Sequence, residues 1–578
     1  MVANSPRQSG RGLGEPQDVA SSRQTAAQLS ERVKQLARDI TADLKDLDDF
    51  YNISFSKTRL QRLGEYLAER NNELVVAFVG LYEHMDAESR VDWLLLRGQI
   101  QRGQEKLRVE WAQLEGLSPL LAWTGPLVAL CELRQRVAKF EPQDAGKVLS
   151  DAMKEATALT SIIAGGGLHD TVSRFTAYRA AFAIEELYER LQEWYGFYAG
   201  YDPLFTWWVE APWQRFSIQA LVATIREKIV GIAKDELDTI VGQPCGRESM
   251  LADLKTEVIA YTPEEIIEIG EKEYAWCERE MMKASKDLGY GADWKQALEH
   301  VKNMYVDPSQ QPYMIHELAE EAVEYITKRD MVTVPEICNQ TWRTFMMTPE
   351  QQKINPFFLG GPYIQVSYPT SAMSHEDKLM IMRGNSRPFS RSTVFHELIP
   401  GHHLQWYYMD RYNQHRGMFQ TPFWIEGWSF YWEMILWDRG FPDTPENRIG
   451  MLFWRMHRCA RIIFSLNFHL GKMTPSECID YLVDKVGHER ATAEGEVRRS
   501  FNGDYSPLYQ AGYMLGALQF YSLRKEIVGQ GKMTEKLFHD RILRGNNMPV
   551  EMVRAMLKGE MFASDHAPCW RWYKGSHG

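Results

Sequence analysis

Apolar residues return every three or four positions along most of this chain, the spacing of a helix buried on one face. The segments SERVKQLARDITADL, RLQRLGEYLAERNNELVVAFVGLYEHM and RVDWLLLRGQIQRGQEKL show it within residues 29–190. AGGGLHD, with Gly165 to Gly167, interrupts the pattern as a break. An aromatic-rich helix follows (AFAIEELYERLQEWYGFY). The Pro- and Trp-rich stretch GYDPLFTWWVEAPWQ then reads as a connection between units. YTPEEIIEIGEKEYAWCEREMM opens a helix with Thr262 as N-cap and Pro263 as first helical residue, and Glu264 and Glu265 favour its positive end. One stretch departs from the helical period. GGPYIQVSYPT, residues 360–370, sets β-branched and aromatic residues between Gly and Pro and predicts a strand. Either its edge pairs with an extended substrate backbone, with Gly360 and Gly361 permitting close approach, or it is an ordinary inner strand. The expected fold is mainly α, with a small β element next to the helix that follows it.

Composition narrows the class. Hydrophobic residues make up 44% and charged residues 25%, which fits a globular chain. Lys+Arg total 66 against Asp+Glu 77, with no long basic run, so neither nucleic acid nor anionic membrane is an expected partner. No stretch of about 18 apolar residues is evident, so no membrane span is expected. The polar N-terminus lacks an apolar signal core. Seven cysteines, odd in number, far apart and without CxxC, point to reduced thiols and a cytoplasmic setting.

The chemistry concentrates in FHELIPGHHLQ, residues 395–405. A His-Glu pair with further histidine nearby is how many zinc peptidases begin their site, usually as HExxH with both histidines on one helical face. Here the position four after His396 is Pro400, which cannot bind metal and does not fit inside a regular helix. On an ideal helix His403 returns to the face of His396, but about 10 Å further along the axis. A kink or π-type bulge at Pro400-Gly401 would shorten that gap and can bring in His402 instead. Local geometry leaves the two open. WIEGWSFYWE, residues 424–433, supplies Glu426 as the third ligand, with Glu433 two turns on. Two histidines and one carboxylate leave a fourth position for water, the catalytic pattern for Zn2+. Glu397 is then the general base.

HELIPGHHLQ followed by EGWSFYWE resembles the DUF885 family, a group regarded as zinc metallopeptidases with the pattern HExxPGHxxQ and a later EGW. The resemblance runs over roughly residues 200–560 and includes TPEEIIEIG, GGPYIQVSYPT, RMHRCARIIFSLNFHLGKMTP and SPLYQAGYMLGALQFYSLRKE. It implies a gluzincin-like metallopeptidase fold with ligands His396, His402 and Glu426, the first histidine after Pro-Gly being the one retained. It also implies Glu397 as base, Gln405 and Glu433 as supports of the ligands, and Tyr513 as donor to the oxyanion, with Tyr509 competing for that role. Many members carry Asp-Thr-Gly-Leu-His where this chain has Ser465-Leu466-Asn467-Phe468-His469, so the histidine is kept and the acid is not.

The expected division is a disordered lead-in (1–28), a helical N-terminal region (29–200), a catalytic zinc-hydrolase region (201–562) and a tail packed by its aromatics (563–578). His469 is preferred to His457 as a further catalytic group. Among Arg383, Arg387 and Arg391, one can clamp a substrate carboxylate, Arg383 being the candidate, unless the three form a solvated basic loop. The expected reaction is hydrolysis of short peptides. The alternative is an amide hydrolase or condensing enzyme acting on a small amino-acid conjugate.

Overall fold

The computed structural model describes residues 17–232, 239–348, 351–352, 357–503 and 505–575, and in it the apolar stripes pair helix with helix. Residues 1–16 of the polar lead-in lie outside the described residues. From Gln17 onward the chain is helical, so the lead-in's second half extends the helix Gln17–Phe50. Adding residues to an existing helix is much easier than nucleating one.

Gln17–Phe50, Lys57–Phe78 and Ala87–Leu121 pack together, and Val33, Ile40, Leu60 and Leu96 join a large core shared with residues 250–572. The helix Ala87–Leu121 leaves that core after Leu107 and enters a second one at Leu117. The second core is filled by Gly125–Gln135, Pro142–Ala164, Arg174–Tyr198 and Pro203–Arg215. One 18-residue window within Ala87–Gln135 is apolar enough to cross a membrane by composition, which corrects the sequence expectation. Buried Leu117, Leu120, Leu121, Leu127 and Leu130 put part of that stretch in a protein core, with 44% of the window buried.

Pro203–Arg215 is a second correction, because GYDPLFTWWVEAPWQ read as a connection. Asp202 accepts from the backbone N–H groups of Leu204 and Phe205, and Pro203 occupies the first turn, so capping starts a helix. Trp213 then stacks on Tyr188 and Tyr195. The Thr262 cap forms as expected: Glu265 N–H donates to Thr262 Oγ1, and Thr262 N–H donates to Glu265 Oε2.

Buried polar contacts join the first helices to the site region. Arg416, fully buried, donates to Asp92 (2.6 Å) and Glu88 (2.9 Å), and His415 lies 3.0 Å from Asp92. Four helices then frame the site. Pro263–Asp287 packs on Pro445–His469, and Pro422–Asp438 on Tyr509–Ile527. The second pair crosses through small residues, since a Cβ on Gly427 would stand 2.6 Å from the Cα of Gly516. Close backbone approach sets Glu426 opposite Tyr509 across this crossing.

The β element is one parallel pair, β1 (Thr344–Met346) and β2 (Ile364–Val366), with Phe345 opposite Gln365. The expected free edge is occupied. Leu359 folds back and exchanges both backbone hydrogen bonds with Gln365 (2.8 and 3.0 Å), so β2 has partners on both sides. Pro362 and Pro369 bound the strand because neither can donate to a ladder.

Candidate metal centre

The helix Arg387–Glu397 carries His396 and Glu397 at its end. Leu398 N–H still donates to Val394 O (2.9 Å), and the helix stops there. Pro400 has no N–H to continue it. Gly401 turns so closely back that a Cβ would collide with the carbonyl oxygen of His396, and its N–H donates to Phe395 O (3.0 Å). A new helix, His402–Met409, starts at once. The chain therefore makes a full break where a kink or bulge was expected, and the break folds His402 back towards His396.

Ligand atoms of His396, His402 and Glu426 lie within 4.8 Å of one another, and all three residues are buried. His396 Nδ1 is 2.8 Å from Glu433 Oε1, and His402 Nδ1 is 3.1 Å from Gln405 Oε1. Gln405 Nε2 donates to Trp424 O (3.1 Å), which fixes which end of the amide faces the ring. Both acceptors therefore hold the proton on Nδ1 and leave each Nε2 lone pair free. Those lone pairs face one anionic oxygen, Glu426 Oε2, at 3.7 and 3.2 Å. Three donor atoms converge on one point, an arrangement able to hold a metal ion. The donor set of two imidazoles and a carboxylate fits zinc.

His403 is not part of this group. Its Nδ1 is 3.0 Å from the carbonyl oxygen of Pro362 and its Nε2 is 3.0 Å from that of Cys338, so it ties the β2 loop to the helix Glu336–Thr341. Two supports escaped the sequence reading. Ser392 Oγ donates to Glu433 Oε2 (2.9 Å), and its place one turn before His396 was the available signal. Tyr509 donates to Glu426 Oε1 (2.7 Å), which engages its hydroxyl in orienting that carboxylate.

Electrostatics follow from burial and close neighbours. Burial opposes the charge on Glu426, yet His402 and His396 hold its carboxyl well below the usual carboxylate range. Burial pulls His396 down, and hydrogen bonds to Glu426 and Glu433 outweigh it, lifting the ring to about 9, so with no metal ion bound a proton on Nε2 takes the cation's place and a bound ion displaces it. Burial pushes the Glu397 carboxyl up against the pull of His396 and His402. A carboxylate of raised proton affinity, 4.0 Å from His402 Nε2, is suited to take and return a proton.

Gly360 presses on this carboxylate, since a Cβ there would collide with Glu397 Oε2 and stand 3.0 Å from His402 Cδ2. The close approach anticipated at Gly360 is thus to the Glu397 carboxylate. Gly360→Ala is expected to displace Glu397 and lower turnover by roughly 10²-fold, the scale of a misplaced reacting group. Its zinc content should stay at the wild-type level. Unchanged turnover in a steady-state assay would show that the loop yields instead.

Tyr513 stacks on the ring of His396 at 6.2 Å and 15°. Burial raises its phenol, so it stays protonated as a donor, and no hydrogen-bond partner of its hydroxyl is described. His469 does not join the group. It packs on Phe468 and Phe501, and burial pushes it down to about 4. Arg383 is also spent: it pairs with Glu299 (2.5 Å) and Glu489 (3.1 Å) and donates to Asn303. Arg387 pairs with Glu317, and Arg391 with Glu321 and Asp443, so this trio forms neither a substrate clamp nor a loose basic loop.

A family model described as "Bacterial protein of unknown function (DUF885)" matches residues 55–557. The chain belongs to the DUF885 family. The match begins well before the motifs from residue 200 onward, so most of the N-terminal helices belong to the DUF885 unit. No curated protein matches the sequence. Two solved structures share the DUF885 chain's fold. A protein described as a candidate lipoprotein of unknown function from Shewanella oneidensis is 16% identical with a TM-score of 0.64, over 91% of this chain and 99% of its own. Another candidate lipoprotein, from Colwellia psychrerythraea, is 15% identical with a TM-score of 0.57, over 93% and 99%.

Proposed function

We propose that this protein is a zinc-dependent hydrolase that cleaves short peptides. The observation that carries the reading is the convergence of both Nε2 lone pairs on Glu426 Oε2, with Glu397 beside them. His396, His402 and Glu426 would hold the zinc, which would supply Lewis acidity and lower the pKa of a bound water towards about 7. Glu397 takes the proton from the attacking water and passes it to the leaving amine. Glu433 and Gln405 keep the two imidazoles in the required tautomer. Tyr513 donates to the carbonyl oxygen as charge grows there.

Burial of the whole donor set favours short substrates over folded proteins. A cavity of about 1760 Å³ lies between the N-terminal helices and residues 498–507, with Arg59, Arg179, Arg226 and Arg499 in its walls. None of the metal donors lines it, but the segment along its wall leads directly into Tyr509. The same donors would serve an amide hydrolase or condensing enzyme on an amino-acid conjugate, and the enclosure suits that class too. The unpaired cysteines support a reducing, cytoplasmic setting, against the lipoprotein description of the two solved relatives.

The test is incubation with a mixed library of short peptides and N-acyl amino acids, read by mass spectrometry. Hydrolysis abolished by chelator and restored by zinc is expected. Turnover indifferent to chelation would remove the metal from the reaction, and no turnover by zinc-loaded protein would remove the hydrolase.

Tyr513→Phe deletes one hydroxyl. It should slow the chemical step by roughly 10²–10³-fold, the usual loss for one oxyanion donor. Zinc content and thermal midpoint should hold. Full single-turnover activity in the variant would assign the phenol to packing.

A further inference from the structure

The helix Pro445–His469 carries four arginines that are half-buried or deeper, and three have an acid. Arg448 pairs with Asp287, Arg455 with Glu273 and Arg461 with Glu496. Arg458 is 5% exposed, and no carboxylate among the described residues lies within ion-pair distance of it. Its Nε has no hydrogen-bond acceptor. Two aromatic faces hold it instead, Trp454 at 5.2 Å and Tyr513 at 4.8 Å. The second of these faces is the ring that stacks on the ligand His396.

Among the described residues the nearest opposite charges, Glu433 and Glu426, act on Arg458 from beyond ion-pair distance. Arg461 lies over the same Tyr513 ring at 4.4 Å, and Arg499 is next to it in charge, 2.5 Å from Glu496. Glu496 is therefore one carboxylate shared by two guanidinium groups, with Arg458 as a third cation beside them. His457 and His488 add no charge, because burial holds both well below the ordinary imidazole range. Burial, then Arg461, pulls Arg458 down, and the more distant Glu433 and Glu426 offset this only in part. A buried guanidinium is stable only when paired and hydrogen-bonded, so an anion from outside is the missing partner.

We propose that Arg458 is a substrate-binding residue and that the site takes amides bearing a carboxylate close to the scissile bond. Both a peptide's C-terminal residue and a small amino-acid conjugate carry that group. The planar fork matches a carboxylate bidentately. Its contact with Tyr513, the ring that stacks on His396, sets the carboxylate near the amide that Tyr513 serves. The proposal rests on the hydrolase reading above for the identity of the reacting bond.

The test uses the full-length, zinc-loaded Glu397→Gln variant and a panel of benzoylglycyl dipeptides. Each is supplied with a free C-terminal carboxylate and as the carboxamide, and binding is measured by calorimetry. Carboxylates should bind on the order of 10²-fold tighter than their carboxamides, the range for a buried charge pair. Adding Arg458→Gln should erase that preference, whereas Arg458→Lys should keep part of it. A residue that only props Tyr513 would weaken both series equally under Arg458→Gln and leave the preference intact, which overturns the proposal. Equal binding of both series before the substitution overturns it as well, even with wild-type turnover intact. Wild-type turnover of the panel is measured separately. Its absence with zinc bound counts against the hydrolase, while carboxylate-selective binding lost in Arg458→Gln still supports the anion site. Should Arg458→Gln not fold, Arg458→Lys with an undiminished 10²-fold preference contradicts the need for the fork.

Discussion

Glu397→Gln is expected to lose hydrolysis by about 10²–10⁴-fold while keeping its zinc and its thermal midpoint. The amide matches the carboxylate in size and fills the same contact with Gly360, so packing is preserved. It cannot accept the proton of the attacking water. The native carboxylate is well placed to accept it, because burial raises its proton affinity and His402 Nε2 lies 4.0 Å away. A stopped or steady-state assay on metal-replete protein measures the loss. Turnover within a few-fold of wild type would take Glu397 out of the mechanism and send the search for a base elsewhere in the site.

His402→Ala and His403→Ala should separate completely. The first removes one of three donors and should leave the protein unable to retain zinc through dialysis, with hydrolysis lost to background. The second should retain about one zinc per chain. Its cost falls on stability, about 1–3 kcal/mol, chiefly for leaving the buried carbonyl of Cys338 without its imidazole. Elemental analysis and a denaturant titration of both variants decide this. Full zinc in His402→Ala with loss in His403→Ala would reverse the ligand assignment.

Much of the site was visible in the sequence because its parts are local. His-Glu at a helix end and Glu before Gly-Trp are short-range patterns. The choice between His402 and His403 was not visible from helix geometry, because Pro400 and Gly401 end one helix and begin another. No angle taken from an ideal helix survives such a break. The resemblance pointed to His402, and the fold shows what occupies His403 instead. Gly360 was marked for close approach, but the identity of its neighbour depends on contacts 37 residues away, at Glu397.

The arginines show the limit most clearly. Arg383 sits just before the motif and looked free, yet its acids, Glu299 and Glu489, come from distant parts of the chain. Arg455, Arg458 and Arg461 share one helix, and only the tertiary positions of Glu273 and Glu496 reveal which of them lacks a partner. Helices were legible from their period, and the helix Pro203–Arg215 was missed because its tryptophans and prolines outweighed the Asp202–Pro203 start signal. The strand was legible in type but not in pairing, since Leu359 returning onto Gln365 is a fold-back that no local pattern records.

The central claim is that His396, His402 and Glu426 hold one zinc ion. A second group of possible donors, Glu551, His566 and Cys569, offers a control within the same molecule. Glu551 is already engaged there: Trp570 N–H donates to one of its oxygens (3.2 Å), and His566 Nε2 lies 3.0 Å from the other. Those contacts dock the C-terminal tail, and buried Trp570 and Trp572 complete the packing. Anomalous diffraction from zinc-soaked crystals, collected above and below the zinc edge, tests the claim most directly. The account predicts one strong peak bounded by His396 Nε2, His402 Nε2 and Glu426, absent from crystals of His402→Ala. A peak at Glu551, His566 and Cys569 with none at the first group would contradict it.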